Sequence, residues 1–361
     1  MPVAQHFSTS YAEARRKFGD AAAAAGAKLA EYRSPSKGPG GEALATDVAR
    51  LGPEGAERVL ITLSATHGAE GFCGSGIQIA SLAAGFGRQL PAGTAVLIVH
   101  AINPYGFAWI RRVTEENVDL NRNFVDHTKP LPRNDAYDEL ADAICPAEWT
   151  DAALAASRAR FAAFTAAHGA AALQKAISGG QYSHPDGVFY GGARPVWARQ
   201  TLERIVGEQL TGARRVGLID YHTGLGPYGH GEQIVLHPGG SAAYRRAEQW
   251  FGTITNPALG TSTSAELQGD NLQGLAAIFA RRGIEFTGMA LEYGTLSLNE
   301  VLDAVRADNW LHHHGDLASA KGKRLKAQIR DAFYCDKDDW KEMLVEQGMR
   351  AQQGALAGLA G

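Results

Sequence analysis

Short apolar runs bounded by turn-forming residues recur along the chain, and they alternate with longer segments in which apolar residues return every third or fourth position. Short runs rich in β-branched side chains are typical of buried strands, and the longer period is typical of helices. The pattern predicts buried strands at residues 58–64, 94–100, 216–220, 233–236 and 287–291. Between them it predicts helices, for example at residues 76–84, 196–210 and 242–251.

Strands that alternate with helices in this way predict an α/β fold, in which a mainly parallel mixed sheet is flanked by helices. The chain has 361 residues, of which 45% are hydrophobic and 20% are charged. A chain of this length and composition can bury one large core. We therefore expect a single domain over residues 1–361.

The segment from about residue 135 to residue 177 interrupts the alternation, because alanine dominates it. Thr150 and Asp151 precede a long alanine-rich run and are typical of a helix N-terminus. The following loop, residues 178–187, is rich in glycine and contains proline, which leaves its polar and aromatic side chains outside regular structure. We expect a helical insertion with its loop over residues 130–195, close to a pocket. The C-terminal part, residues 299–356, is predicted to be helical and to end in a weakly structured Gly/Ala tail.

The charge balance argues against several classes of partner. The formal net charge is −3 and no block of basic residues is present, so nucleic acid is not expected as a ligand. No apolar stretch approaches the length of a membrane span, and the N-terminus lacks the pattern of a secretory leader. We expect a cytoplasmic protein without membrane contact, in which the three cysteines are reduced thiols.

Four side chains that can do chemistry stand at the ends of predicted strands. His67 and Glu70 follow the strand at residues 58–64, His222 follows the strand at residues 216–220, and Glu292 follows the strand at residues 287–291. The carboxyl ends of neighbouring strands in an open α/β sheet share one crevice. Each fragment alone is a weak signal, but their common position predicts that the four side chains converge.

Two imidazoles and one carboxylate are a sufficient protein ligand set for catalytic zinc, because the fourth position stays open for water. We therefore predict a Zn²⁺ site at His67, Glu70 and His222. Glu292 is then free to move the proton of the metal-bound water and to deliver it to a leaving amine. Asp220 is either an orienting partner of a ligand or a buried structural carboxylate, and the residues alone favour neither.

Arginines and an amide stand between these fragments, in the segment from Arg111 to Phe124. The side chains of Asn121 and Arg122 offer an amide and a guanidinium fork that can hold a substrate carboxylate. An arginine near the metal, Arg111 or Arg112, can stabilise the oxyanion that forms when water attacks an amide carbonyl.

Taken in order, these motifs resemble those of the zinc carboxypeptidase superfamily. The resemblance rests on residues 67–70, 103–106, 119–124, 220–222 and on Glu292, and it covers residues 59–295. The superfamily includes the carboxypeptidase A-like peptidases and the aspartoacylase and succinylglutamate desuccinylase branch. The resemblance implies the carboxypeptidase-like fold, with zinc at His67, Glu70 and His222 and proton transfer by Glu292. It also implies carboxylate recognition by Asn121 and Arg122, and oxyanion or substrate contact by Arg111 or Arg112.

One feature of the digestive carboxypeptidases, the tyrosine of a mobile loop, has no counterpart that we can locate. We assign substrate contact instead to Tyr182, His184 and Tyr190 on the intervening loop. The expected reaction is hydrolysis of an amide next to a carboxylate in a small molecule or short peptide, by a carboxypeptidase or an N-acyl-amino-acid deacylase. The alternative is a non-catalytic zinc-containing module that binds a carboxylate-bearing peptide or metabolite. Homo-oligomerisation is left open.

Overall fold

Seven strands form one mixed sheet in the computed structural model, which describes residues 2–361. The strands lie in the order β1-β2-β4-β3-β5-β7-β6. The central strands β4, β3, β5 and β7 are parallel to one another, whereas β1, β2 and β6 join antiparallel at the two sides. The strands are β1 (Lys28–Lys37), β2 (Ala43–Leu51), β3 (Arg58–Leu63), β4 (Thr94–His100), β5 (Arg215–Tyr228), β6 (Gly231–Ile234) and β7 (Glu285–Gly294). The predicted α/β class with a mainly parallel mixed sheet is therefore confirmed.

Helices pack on both faces of this sheet. They are α1 (Tyr11–Ala24), α2 (Gly71–Ala83), α3 (Pro104–Trp109), α4 (Asp135–Ile144), α5 (Asp151–His168), α6 (Ala170–Ser178), α7 (Trp197–Gln209), α8 (Ala242–Phe251), α9 (Asn271–Arg281), α10 (Leu298–His314), α11 (Ala320–Phe333) and α12 (Asp338–Ala360). Alternation along β3 separates the two cores, because Val59 and Ile61 join the cluster with α7 and α9 while Leu60 joins the cluster with α1, α2 and α12. No helix of the described residues is long and apolar enough to cross a bilayer.

All five predicted strands are present, but β1 and β2 are additional strands that the pattern did not predict. In β1 only Tyr32 is buried, so the strand lacks the apolar alternation that marks a half-buried strand. In β2 the polar residues Thr46 and Arg50 are buried, and their side chains bond backbone carbonyls elsewhere in the chain. Sequence periodicity does not reveal burial of this kind.

The prediction of a weakly structured C-terminal tail is wrong, because α12 continues to Ala360. Ala355 and Leu359 are fully buried in the core cluster that also contains Trp250. A Cβ atom at Gly358 would lie 2.0 Å from the indole nitrogen of Trp250, so glycine at this position lets the helix approach the ring. Here glycine serves close packing rather than flexibility.

The alanine-rich segment forms the helices α4, α5 and α6 between β4 and β5. Asn134 and Thr150 cap α4 and α5 through side-chain oxygens that accept backbone N–H bonds. Tyr137 and Ile177 from this segment are buried in one cluster with Val305 of α10 and Phe333 of α11. The segment is thus packed against the later helices, which brings α6 and α10 to the same region. The three cysteines are free, as expected.

Candidate active site

The chemical side chains lie at the edge of the sheet where β3 ends, beside the continuing strands β5 and β7. A single 3₁₀ turn, Gly68–Glu70, follows β3 and leads directly into α2. His222 lies on β5 and is the register partner of Glu292 on β7. Because β3 pairs with β5 and β5 with β7, the three fragments meet at one sheet edge.

His67, Glu70 and His222 form a buried group whose ligand atoms all lie within 4.8 Å of one another. The Nδ1 atom of His67 is 2.8 Å from Oε1 of Glu70, and the Nδ1 atom of His222 is 3.0 Å from Oε2 of Glu70. The three donors therefore face one point, as predicted. This is a group able to hold a metal ion, and its two nitrogens and one carboxylate are donors that suit zinc.

The other nitrogen of each imidazole is held by a buried carboxylate. Nε2 of His67 lies 3.2 Å from Oδ1 of Asp119, and Nε2 of His222 lies 2.8 Å from Oδ2 of Asp220. A carboxylate on the far nitrogen orients a ligating imidazole so that the near nitrogen faces the metal, and for His222, whose Nε2 contacts only Asp220, it also fixes the tautomer. The contact supports the orienting role for Asp220. Sequence reasoning missed Asp119 in this role, although it begins the Asp-Leu-Asn-Arg run.

These two carboxylates are themselves held by hydrogen bonds. The Thr66 hydroxyl donates to Asp220, with both oxygens at 2.9 Å, and Nδ2 of Asn271 donates to Asp220 at 2.7 Å. Asp119 accepts from Nε of Arg112 at 2.9 Å and from the backbone N–H of Asn121 at 2.9 Å. Both carboxylates are completely buried, and these bonds give their oxygens partners within the protein.

The charges at the site act strongly on one another. Burial and the neighbouring Glu70 raise the pKa of Glu292 to about 8. Burial also works to raise the pKa of Glu70, but His67 and His222 outweigh it and hold that pKa below its ordinary value. Burial works to lower the pKa of His222, but Asp220 and Glu70 outweigh it and raise that pKa well above the ordinary value. A region with this many buried carboxylates is suited to a bound cation.

Glu292 is nearly buried and lines the same cavity as the triad. Its Oε1 atom accepts a hydrogen bond of 3.0 Å from the backbone N–H of Leu225. This bond fixes one carboxylate oxygen, and Glu292 is not among the residues that form the candidate metal group. A carboxylate beside a metal site that is not a ligand can act as an acid or base.

The adjacent residues Arg111 and Arg112 have their guanidinium groups in different surroundings. Arg112 lines the cavity, and its guanidinium contacts Asp119 and Nε2 of His67, the latter at 2.9 Å. Arg111 is absent from the cavity wall and lies behind it, where it donates to Asp308 at 3.2 Å and to Oδ1 of Asn117 at 3.1 Å. The structure therefore brings Arg112, but not Arg111, to the candidate site.

Asn121 and Arg122 form part of a 3₁₀ turn and line the cavity. The guanidinium of Arg122 bonds the backbone oxygens of Ser178 and Asn121 and lies over the ring of Phe189, 5.6 Å from the centroid. Three of its N–H groups are engaged in this way, which leaves two of the five donors of a guanidinium for a ligand. The Oδ1 atom of Asn121 accepts from the backbone of Asn271 at 3.2 Å.

Tyr182, His184 and Tyr190 are not brought to this cavity. The Tyr182 hydroxyl donates to the backbone oxygen of Arg122 at 2.6 Å, and His184 lies 2.9 Å from Asp138 on the other side of the loop. Tyr190 is buried against the sheet, and its backbone oxygen accepts from the N–H of Asp119. None of these three side chains lines the cavity, and Tyr182 and the Tyr190 backbone instead support residues 119–122.

The cavity has a volume of about 510 Å³, within the range of small-molecule sites. Besides the residues above it is lined by Asp270, a residue that sequence reasoning missed. Asp270 caps α9 by accepting from the N–H of Gln273 at 2.9 Å, while its Oδ2 atom is buried without a partner among the described residues. Burial raises the pKa of Asp270 to about 6. Its position just before a predicted helix was the available signal.

The sequence profile of a family described as "Protein of unknown function (DUF2817)" matches residues 7–347 of the chain. A comparison with curated protein sequences found no match. The family profile spans all the residues described above as the candidate site.

Comparison with solved structures gives matches over most of the chain at low identity. Bovine thrombin-activatable fibrinolysis inhibitor, in complex with tick carboxypeptidase inhibitor, is 10% identical with a TM-score of 0.45, over 94% of this chain and 98% of that chain. Carboxypeptidase A from Helicoverpa armigera is 12% identical with a TM-score of 0.46, over 90% and 73%. Murein-tripeptide amidase from Escherichia coli O157 is 17% identical with a TM-score of 0.35, over 82% and 91%. The likeness is one of fold alone.

Proposed function

The chain belongs to the DUF2817 family, and we propose that it is a zinc-dependent hydrolase that cleaves an amide bond next to a carboxylate. The observation that carries this proposal is the buried group of His67, Glu70 and His222 beside Glu292 in one cavity. Three protein ligands favour a catalytic over a structural zinc, because structural zinc usually has four. The carboxylates on the far nitrogens of both imidazoles support the same assignment.

Zinc held by these three residues would make hydroxide available near neutral pH and would polarise the substrate carbonyl. The protein's own contribution begins with Glu292, whose carboxylate accepts the proton of the attacking water and later delivers it to the leaving amine. The hydrogen bond from Leu225 fixes one oxygen of Glu292 and so orients the other for this transfer.

Arg112 is our assignment for the group that stabilises the negative oxygen of the tetrahedral species. Its guanidinium is held beside the triad by Asp119, so that it is oriented before the reaction begins. A donor fixed in advance costs no reorganisation when charge develops, and this is the reason such groups accelerate acyl transfer.

Asn121 and Arg122 are our assignment for the residues that bind the substrate carboxylate. Both line the cavity, and the free donors of the Arg122 guanidinium match the two oxygens of a carboxylate. A carboxylate next to the scissile amide occurs in the C-terminal residue of a peptide and in an N-acyl amino acid. The proposal therefore includes both a carboxypeptidase and an N-acyl-amino-acid deacylase.

The test is turnover of a panel of short peptides and N-acyl amino acids by zinc-loaded protein, with and without chelator. Each substrate is paired with its C-terminally amidated form. We expect cleavage of the free carboxylates, loss of cleavage with chelator and its recovery when zinc is restored. Cleavage that chelator leaves unchanged, or a zinc-loaded protein inert on the whole panel, would contradict the proposal.

A further inference from the structure

Apolar side chains from two helices make up much of the cavity lining. They come from α6, which precedes β5, and from α10, which follows β7, and they are Leu173, Ile177, Leu298, Val301, Leu302 and Val305. Apart from Leu298, which begins α10 and is 46% exposed, they belong to the same hydrophobic cluster. The cavity therefore presents a continuous apolar wall, part of which is open to solvent.

This apolar wall adjoins the chemical groups. Phe189, which belongs to the same cluster, lies beneath both guanidiniums, with ring centroid distances of 5.1 Å to Arg112 and 5.6 Å to Arg122. At the other end, a Cβ atom at Gly224 would lie 3.6 Å from Val301, one residue from the Leu225 N–H that bonds Glu292. A substrate held by Arg122 and attacked beside Glu292 thus has the apolar wall next to it.

The polar groups alone do not account for a cavity of about 510 Å³. An amide and a carboxylate would occupy only the part beside the triad and Arg122. Exposed apolar surface is costly in a protein unless something covers it, and a concave apolar surface beside polar groups is the usual form of a ligand site. The wall residues that keep exposed surface, Leu173, Leu298 and Leu302, are all aliphatic, so an apolar group is the ligand chemistry that suits them.

We propose that the substrate carries a bulky aliphatic or aromatic group, lodged between α6 and α10 next to the scissile amide. This inference rests on the proposed function and names the substrate class of that site. The apolar group belongs either to the acyl side of the amide or to the side chain of the residue that bears the carboxylate. Both sources present the same chemistry to the wall.

The test measures binding, so that it does not depend on turnover. The probes are analogues in which a secondary amine replaces the amide, in two series. In one series the N-alkyl group of N-alkyl-alanine lengthens from methyl to octyl, and in the other the side chain of an N-methyl amino acid lengthens over the same range. Affinity for zinc-loaded protein is measured by calorimetry.

We expect affinity to rise about fourfold for each added methylene in one of the two series, the equivalent of about 0.8 kcal/mol. The series that responds identifies the side of the amide that carries the apolar group. Affinity that does not change with length in either series would overturn the inference. This result needs no mutant protein and so does not depend on a variant that folds.

Substitutions in the apolar wall test whether the dependence of affinity on chain length arises there. Leu173→Asn and Leu302→Asn alter partly buried lining residues, and both should flatten the dependence of affinity on chain length. Leu317→Asn, at a leucine of 36% exposure that does not line the cavity, is the matched control. A full length dependence in both lining variants would also overturn the inference.

Turnover of the corresponding amides separates this inference from the function on which it rests. Length-dependent binding without cleavage of any amide would refute the proposed hydrolysis and leave the apolar site standing. Cleavage of short substrates with no preference for long ones would support the hydrolysis and refute the apolar site.

Discussion

The Nε2 atom of His222 lies 2.8 Å from the Oδ2 atom of Asp220, two residues earlier on the same strand. Successive side chains of a regular strand alternate faces, so residues two apart lie on the same face and can meet. His67 has the same arrangement with Asp119, although Asp119 comes from a separate segment. Both imidazoles are therefore oriented from behind, and metal affinity should depend on residues that are not ligands.

We predict that Asp119→Asn and Asp220→Asn each weaken zinc binding by about 10- to 100-fold, the usual effect of losing a carboxylate behind a ligating imidazole. Competition with a chromogenic chelator measures the affinity. Asp20→Asn is the control, because Asp20 is 71% exposed and its ion pair with Arg16 lies on the surface. Wild-type affinity in both buried variants would show that the carboxylates do not orient the ligands.

The two adjacent arginines should respond differently to substitution by lysine, which keeps the charge but removes the guanidinium fork. Arg112→Lys is expected to lower kcat by roughly 10²- to 10³-fold, since it removes a donor aimed at developing charge. Arg111→Lys should change kcat much less but lower the melting temperature, because its buried bonds to Asp308 and Asn117 are weakened. Steady-state kinetics measures kcat, and thermal unfolding measures the melting temperature. A large loss of kcat in Arg111→Lys with little loss in Arg112→Lys would refute the assignment of Arg112 as the oxyanion-stabilising residue.

The role of Arg122 is tested by comparing substrates with and without a free carboxylate. Arg122→Gln should raise KM for the carboxylate form by about 10- to 100-fold, as expected for the loss of a charge-assisted bond. KM for the amidated form should change much less. Equal effects on the two forms would remove the carboxylate-binding role and leave Arg122 as a structural residue held by Ser178.

Asp270 should make stability depend on pH. Burial raises its folded-state pKa from 3.8 to about 6, with Arg122 opposing the rise. The folded state therefore binds the proton more tightly than the unfolded state, so stability falls as pH rises from about 4 to about 6. The penalty stays at about 3 kcal/mol above that range, because one pKa unit corresponds to about 1.4 kcal/mol.

Asp270→Asn tests this directly, because asparagine keeps the capping oxygen for the Gln273 N–H and removes the charge. Denaturant unfolding should find the variant more stable than the wild type at pH 8, by up to about 3 kcal/mol, with the difference disappearing near pH 4. A variant less stable at pH 8 would mean that the carboxylate is paired with a cation in solution.

The convergence of His67, Glu70, His222 and Glu292 was predictable because each stands where a strand of recognisable pattern ends. Parallel strands deliver their carboxyl ends to one edge, so sequence position alone brings the fragments together. In the structure, His222 on β5 lies directly opposite Glu292 on β7, as this arrangement of parallel strands predicts.

Other parts of the site depend on packing that periodicity does not encode. Arg111 and Arg112 are chemically alike and adjacent, and they differ in their tertiary partners: Asp308 and Asn117 for Arg111, Asp119 for Arg112. Tyr182 and His184 were chosen for their chemistry, but the loop directs Tyr182 to the backbone oxygen of Arg122 and His184 to Asp138, away from the cavity. The partners of a loop side chain follow from tertiary contacts, which the sequence pattern alone does not specify.

The central claim is that His222 holds a metal while Glu292 only moves a proton. The most direct measurement is zinc content and amide turnover determined together for the wild type, His222→Ala and Glu292→Gln. We predict stoichiometric zinc in the wild type and in Glu292→Gln, turnover lowered about 10²- to 10⁴-fold in Glu292→Gln, and loss of zinc in His222→Ala. Loss of zinc from Glu292→Gln, or full zinc content in His222→Ala, would contradict the account.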